Sequence, residues 1–410
     1  MNGNNTGMDG AADPPHPPPA TFLPCRRLNG VPIYNPSTGE TEVADDVIIL
    51  QPSLDPIVLK DVNDIGTLDI KAPSPSNKCA KSASASDVKT QATGQRAYWL
   101  RRTLREGKFG RIRYAIALQR RTEEVNGQSN VVDWELTDIK VAVKKYTLER
   151  VAELRSKVAD DPIKGIAARQ YMACHNAPAG ESFQERVKRA VNCMIRSHVV
   201  TPIDVWVDNL HIYQVMPYCG AELFEVISLK EHRFTEAQAR HWMGHILNAL
   251  DFLHNKVGIV HRDIRPENIL LHEESDSLVL IDFGLCLLLP QNESRGQLIK
   301  PQGICGTLPF VAPEIAANEA FDGRAVDLFQ AGVVLFVMVT GFPPFSRPDT
   351  KDVRFNLINS GNLDRMLRSH NLGLSLELLD LLQNMLRLNA SDRLTLEEVA
   401  QHPWMTMMAE

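Results

Sequence analysis

The sequence lacks a cysteine framework. Its seven cysteines stand apart at 25, 79, 174, 193, 219, 286 and 305, with no C-x-x-C pair. An odd, scattered set excludes a disulfide scaffold and a zinc ribbon. It fits a reduced setting inside the cell, cytoplasmic with the nucleus as an option. Excess positive charge is lacking too: 44 Lys and Arg face 50 Asp and Glu, for a net charge of −6. That argues against general nucleic-acid binding, which favours basic faces. No basic-then-apolar leader opens the chain. The longest apolar run, Ala331 to Val339, falls short of the about 20 residues that span a bilayer, so no membrane span is expected. Aromatic residues are sparse at 6%, yet 44% hydrophobic residues over 410 positions permit a large core. The length suits two or three domains.

Composition divides the chain. Residues 1 to 97 include "ADPPHPPPA" and "KAPSPSNKCAKSASASD". Stretches so rich in proline and serine bury too little apolar surface to offset chain entropy, so a largely disordered N-terminal tail is expected. Between them, "DDVIILQPSLDPIVLKDV" holds two short apolar runs. They read as a docking segment for partners or as a strand laid on a neighbour. From Tyr98 the pattern tightens. "YWLRRTLREGKFGRIRYAIALQR" reads as two strands around a glycine turn, and "IKVAVKKY" as a short β-branched strand. "IDVWVDNLHIYQVMPY" reads as a hairpin turning at Asp208-Asn209. Helical spacing follows, with Ala239, Met243, Ile246, Leu247, Leu250 and Leu253 in one stripe, and again in "LELLDLLQNMLRL". A strand-rich piece before a helix-rich piece predicts an α+β chain of two lobes.

One stretch fits neither a helix stripe nor a strand alternation: "VHRDIRPENILL", Val260 to Leu271. Asp263 carries a carboxylate, which can take the proton of a hydroxyl attacking phosphorus and orient its oxygen. Five residues on, Asn268 offers an amide oxygen, a hard ligand suited to Mg²⁺. Asp282 ends the apolar run of "LVLIDFG" and offers a second hard ligand. Upstream, Gly107 and Gly110 either cradle a phosphate with backbone N–H groups or make a plain hairpin turn. Lys144 is either a solvated edge residue or a point charge for a polyanion.

Taken together, these residues resemble a eukaryotic protein kinase of the Ser/Thr type over about 98 to 405. The shared order is a glycine-rich loop, VAVK, HRD-x-R-P-E-N, DFG, APE and a D-x-x-x-x-G helix. The resemblance implies a bilobal kinase fold: an N-lobe over about 98–217, a hinge at about 217–220 and a C-lobe over about 221–405. Its last helix, with "HPWM", is like those of calmodulin-dependent kinases. It implies ATP and Mg²⁺ as cofactors and protein Ser/Thr hydroxyls as acceptors. By the same resemblance Asp263 is the catalytic base, Lys144 holds the α- and β-phosphates, and Asn268 and Asp282 bind the metal. Arg265 stands where lysine is usual, beside the γ-phosphate, with Thr307 hydrogen-bonding nearby. Leu104, Gly107, Gly110 and Ile112 would cover the nucleotide, and Ala142 and Leu270 would sandwich adenine. Met216, Pro217 and Cys219 would form gatekeeper and hinge, and Glu222 would meet the ribose. Glu314 would pair with Arg393, and Asp327 would hold the catalytic-loop backbone. Glu222 and Glu267 would draw basic residues near the acceptor, or are ordinary surface acids.

The chain also departs from the family pattern. Arg105 replaces the first loop glycine, and Gly165 falls where a glutamate normally pairs with the strand lysine. Either Gly165 occupies that slot or a glutamate such as Glu181 or Glu185 substitutes. Between Gly284 and Gly306 the only hydroxyl residue is Ser294, and Gly303 stands at the usual phosphorylation position. Activity is therefore expected either to be independent of phosphorylation there or to use Ser294. The alternative function is a nucleotide-binding scaffold with little turnover.

Overall fold

The computed structural model describes residues 19–51, 56–59, 96–125, 128–154, 157–173, 181–229, 233–289 and 298–407. The serine-rich stretch 71–87, most of the proline-rich opening and Ser294 lie outside these residues.

The N-terminal part is built on antiparallel strands. β6 (Ala97–Gly107) and β7 (Gly110–Val125) pair on either side of the turn, with Gly107 opposite Gly110. β8 (Gln128–Thr147) pairs with β7 and with β10 (His211–Pro217), which returns from β9 (Asp204–Val207). The sheet is wider than the sequence suggested, and this corrects the disordered-tail expectation for residues 20–50. They form β1 (Ala20–Leu28), β2 (Val31–Asn35), β3 (Glu40–Ala44) and β4 (Val47–Leu50), and β5 (Ile57–Leu59) follows. β1 lies parallel to β9 and antiparallel to β4, and β4 pairs with β6. The pairings β10-β9-β1-β4-β6-β7-β8 thus return to β10 and close a ring of strands. Averaging composition over the whole tail hid this. Ala20, Phe22, Cys25, Val47 and Ile48 become buried only because the rest of the ring covers them. The ring is pinned inside by Asp204, which accepts hydrogen bonds from Arg96 at 2.5 Å and Tyr98 at 2.7 Å.

Among the described residues, the connection from β8 to β9 holds α1 (Leu148–Leu154), α2 (Pro162–Ala173) and α3 (Phe183–Ser197). α2 buries Ile163, Ile166 and Ala167 against β9 and β10. α3 begins at a capping box, where Ser182 and Glu185 exchange side-chain and backbone hydrogen bonds.

The C-terminal part is helical. α4 (Leu223–Leu229) is followed by α5 (Glu236–Asp251), capped by Thr235 and buried along the stripe that the sequence spacing predicts. Short β-pairs follow: β11 (Ile259–Val260) with β14 (Leu287–Leu288), and β12 (Ile269–His272) with β13 (Ser277–Leu280). After α6 (Pro313–Ala316) comes α7 (Gly323–Thr340), largely apolar and 89% buried. Such a helix forms the centre of a core. Length and composition alone would let it cross a membrane, but here the C-terminal helices enclose it.

Candidate active site

The catalytic-loop cluster is held from beneath by α7. Asp327 accepts hydrogen bonds from the backbone N–H of His261 at 2.8 Å and of Arg262 at 2.7 Å. Three residues on, and therefore on the same helix face, Gln330 accepts from Ile264 N–H and donates to the Arg262 carbonyl, each at 3.0 Å. Arg262 is held with φ +66° and Asp282 with φ +62°, a backbone region that non-glycine residues rarely occupy and that clusters at functional sites. Glu314 and Arg393 meet through two hydrogen bonds of 2.7 Å, the pair expected from the sequence.

Above the loop lies a cavity of about 870 Å³ between the strand ring and the helices. All sixteen residues singled out as site candidates line it: Leu104, Gly107, Gly110, Ile112, Ala142, Lys144, Met216, Pro217, Cys219, Glu222, Asp263, Arg265, Asn268, Leu270, Asp282 and Thr307. Strand register sets their places. Lys144 pairs across from Gln214, and Ala142 from Met216. Gly110 is required by close approach, since a β-carbon there would stand 1.9 Å from the Lys145 carbonyl oxygen.

Electrostatics sharpen the cluster. Lys144 Nζ donates to Asp282 Oδ2 at 3.0 Å. Burial alone would depress the Lys144 ammonium, but Asp282 beside it holds it above its ordinary value. Burial likewise opposes the Asp282 anion, yet Lys144 and Arg169 keep that carboxyl well below the usual range. Asp263 is pushed up by burial, against the pull of Arg265 and His261. Asn268 Nδ2 donates to the Asp263 carbonyl oxygen at 2.8 Å and to Asp263 Oδ2 at 2.7 Å. Asp263 Oδ1 is buried without a donor. Arg265 donates to Thr307 Oγ1 at 2.9 Å.

Lys144 has no glutamate partner within ion-pair distance among the described residues. Gly165 sits on α2 with its backbone against Phe283 and Gly284. The substitutes weighed from sequence are engaged elsewhere: Glu181 is tied to Arg189 at 2.8 Å, and Glu185 serves the α3 cap. Glu222, expected at the ribose, forms a 2.5 Å ion pair with Arg105 of the glycine loop. Arg262 donates to the Leu285 carbonyl at 2.7 Å and contacts Cys305 Sγ at 3.5 Å.

Two site residues escaped sequence reasoning. Asp160 lines the cavity with its carboxylate over Gly284; burial and the nearby Asp282 raise its pKa to about 6. Arg169, 2% exposed, donates to the Gly165 carbonyl and Met216 Sδ, each at 3.2 Å, beside the Phe283 ring. The paired acids "DD" before Pro162 and the arginine four residues after Gly165 were the available signals.

Comparison with known proteins now bears on the cleft. A family model described as "Protein kinase domain" matches residues 163–405. Serine/threonine-protein kinase DCLK3 of Mus musculus is 34% identical over 224 residues, 53% of this chain and 27% of that protein. CBL-interacting protein kinase 9 of Oryza sativa subsp. japonica is 34% identical over 197 residues, 47% of this chain and 42% of the relative. Serine/threonine-protein kinase kin-29 of Caenorhabditis elegans is 32% identical over 223 residues, 54% of this chain and 25% of the relative. The chain therefore spans less than half the length of these relatives.

Proposed function

The chain belongs to the protein kinase family, and from that premise we propose that it transfers the γ-phosphoryl group of ATP to serine or threonine hydroxyls of proteins. The observation that carries this reading is that Asp263, whose Oδ1 is buried and donorless, lines one cavity with Asn268, Lys144 and Asp282. A carboxylate oxygen left without a partner is costly unless it meets a donor during turnover. An acceptor hydroxyl supplies that donor: Asp263 takes its proton and orients its oxygen toward phosphorus.

The donor set fits a hard cation. The Asn268 amide nitrogen is committed to Asp263, which leaves its amide oxygen to offer, and Asp282 stays ionised. Mg²⁺ held there would neutralise phosphate charge. Lys144 supplies a point charge to the α- and β-phosphates, and Arg265 with Thr307 borders the γ-phosphate. Ala142 and Leu270 offer apolar surface to adenine, and the backbone at Met216 to Cys219 offers its hydrogen-bonding edge. The scaffold alternative rests on Arg105 and Gly165 alone.

Arg262 already has protein partners, which favours activity independent of a phosphate in the activation segment. The described free cysteines, Cys25, Cys193, Cys219, Cys286 and Cys305, suit a reducing, intracellular setting. A preference for basic residues near the acceptor would require Glu222 to leave Arg105. The full chain, incubated with Mg-ATP and a panel of serine- and threonine-containing peptides, tests the main reading. Asp263→Asn is expected to lower turnover about 10²- to 10⁴-fold, and equal incorporation by both proteins would overturn it.

A further inference from the structure

We propose that strand β1 is a built-in positioning element for helix α2, so that the N-terminal segment sets the catalytic geometry from within the same chain. The inference rests on the kinase reading for its effect on turnover, but not for the contact itself. In the family, an ion pair between the strand lysine and a glutamate ties this helix to the site. Here Gly165 offers no side chain, and Lys144 bonds Asp282 directly. Other contacts must fix where α2 sits.

They lie on two sides. Toward the site, a β-carbon on Gly165 would stand 3.0 Å from the Phe283 carbonyl carbon and 3.2 Å from the Gly284 nitrogen. Arg169, from the same helix, lies 5.7 Å from the Phe283 ring centroid and stabilises the Asp282 anion. Away from the site, α2 is bound by β1. Thr21 N–H donates to Gln170 Oε1 at 2.9 Å, and Gln170 Nε2 donates back to the Thr21 carbonyl. One side-chain amide thus satisfies both backbone groups of a strand residue, as a neighbouring strand would. Ala20 and Phe22, each 1% exposed, alternate with Thr21 and pack in one cluster with Ile163, Ile166 and Ala167. β1 is itself anchored by its pairing to β9 and β4. A shift of α2 toward solvent would break the amide clamp and uncover Phe22. It would also withdraw Arg169 from Asp282.

The test uses the full chain. Gln170→Met keeps the reach of the side chain and removes both hydrogen bonds; Gln170→Glu keeps the acceptor for Thr21 N–H. Two readouts apply: kcat and KM for ATP, and hydrogen exchange of the amides of residues 163–173. Gln170→Met is expected to raise α2 exchange about tenfold and to lower kcat several-fold with KM for ATP within twofold. Gln170→Glu should fall between it and wild type, and amides of α7 should not change. Phe22→Leu is expected to act in the same direction. Unchanged α2 exchange in Gln170→Met would overturn the inference, as would faster α2 exchange without a fall in kcat. If the wild-type chain transfers no phosphate, the kinase reading fails instead, and α2 exchange in Gln170→Met alone then decides whether β1 holds the helix.

Discussion

Gly165 and Phe283 meet backbone to backbone, closely enough that a β-carbon on Gly165 would lie 3.1 Å from the Phe283 carbonyl oxygen. Alanine would gain about 1 kcal/mol of helix propensity, but the atoms it meets are backbone and cannot rotate away. Overpacking of this kind costs about 1–3 kcal/mol, so the contact should win. Gly165→Ala is expected to destabilise the fold slightly and to lower kcat. Restoring the family residue with Gly165→Glu should reduce activity further. Steady-state kinetics on the two variants check this, and a gain of activity in Gly165→Glu would contradict it.

The Glu314–Arg393 pair is buried, with side-chain exposures of 9% and 1%. Arg393 also donates to the carbonyls of Arg387 and Leu388. Removing one member strands the other charge, which costs about 3–5 kcal/mol. Arg393→Met should lower the free energy of unfolding by that amount, read as a lower midpoint in urea. The double variant Glu314→Leu/Arg393→Met should recover part of the loss, because no unpaired charge remains.

Arg105 competes with ligands for Glu222. The ion pair is partly exposed, with Arg105 at 43% and Glu222 at 21%, and exposed pairs contribute about 0.2–1 kcal/mol. Arg105→Ala is therefore expected to lower KM for ATP by at most about fivefold. It should also increase any preference for peptides with arginine near the acceptor. Titrating ATP and a set of arginine-shifted peptides against both proteins measures this.

Three histidines meet on one another. His198 stacks on His245 at 4.4 Å, and His241 approaches His245 edge-on at 4.6 Å. Burial, then His198 and His241, push His245 down to about 4, whereas an unfolded histidine titrates near about 6.5. Between those values the unfolded chain binds more protons, so this contribution to stability is complete above about pH 6.5 and lost as pH falls toward 4. Thermal melts from pH 7.5 to 4.5 should show that decline. His245→Phe should flatten it.

The parts of the site legible in the sequence are those whose chemistry is local. Asp263, Arg265 and Asn268 share one loop, and their spacing alone places carboxylate and amide side by side. Asp282 and Lys144 end or occupy short apolar strands, so strand pairing carries them to the same cleft. Gly165 was legible as an irregularity, but which group compensates for it was not. Arg169 and Asp160 act through helix placement, and α2 has no strong apolar stripe to fix its rotation from sequence. The N-terminal strands were illegible for a different reason. β1 carries Pro24, Arg26 and Arg27, so it resembles no core strand until β9 and β4 flank it. The Arg105–Glu222 pair joins residues 117 apart, beyond any local rule.

Closing the strands into a ring has a consequence for solubility. β6 and β9 would otherwise present unpaired N–H and C=O groups, a template for pairing with other chains. With β4 and β1 laid along them, those borders are sealed. The strand path still ends at β3, where Glu40 and Glu42 sit exposed on the outermost strand. Charge on a terminal strand repels a second copy, so the sheet resists growing by aggregation at its β3 border.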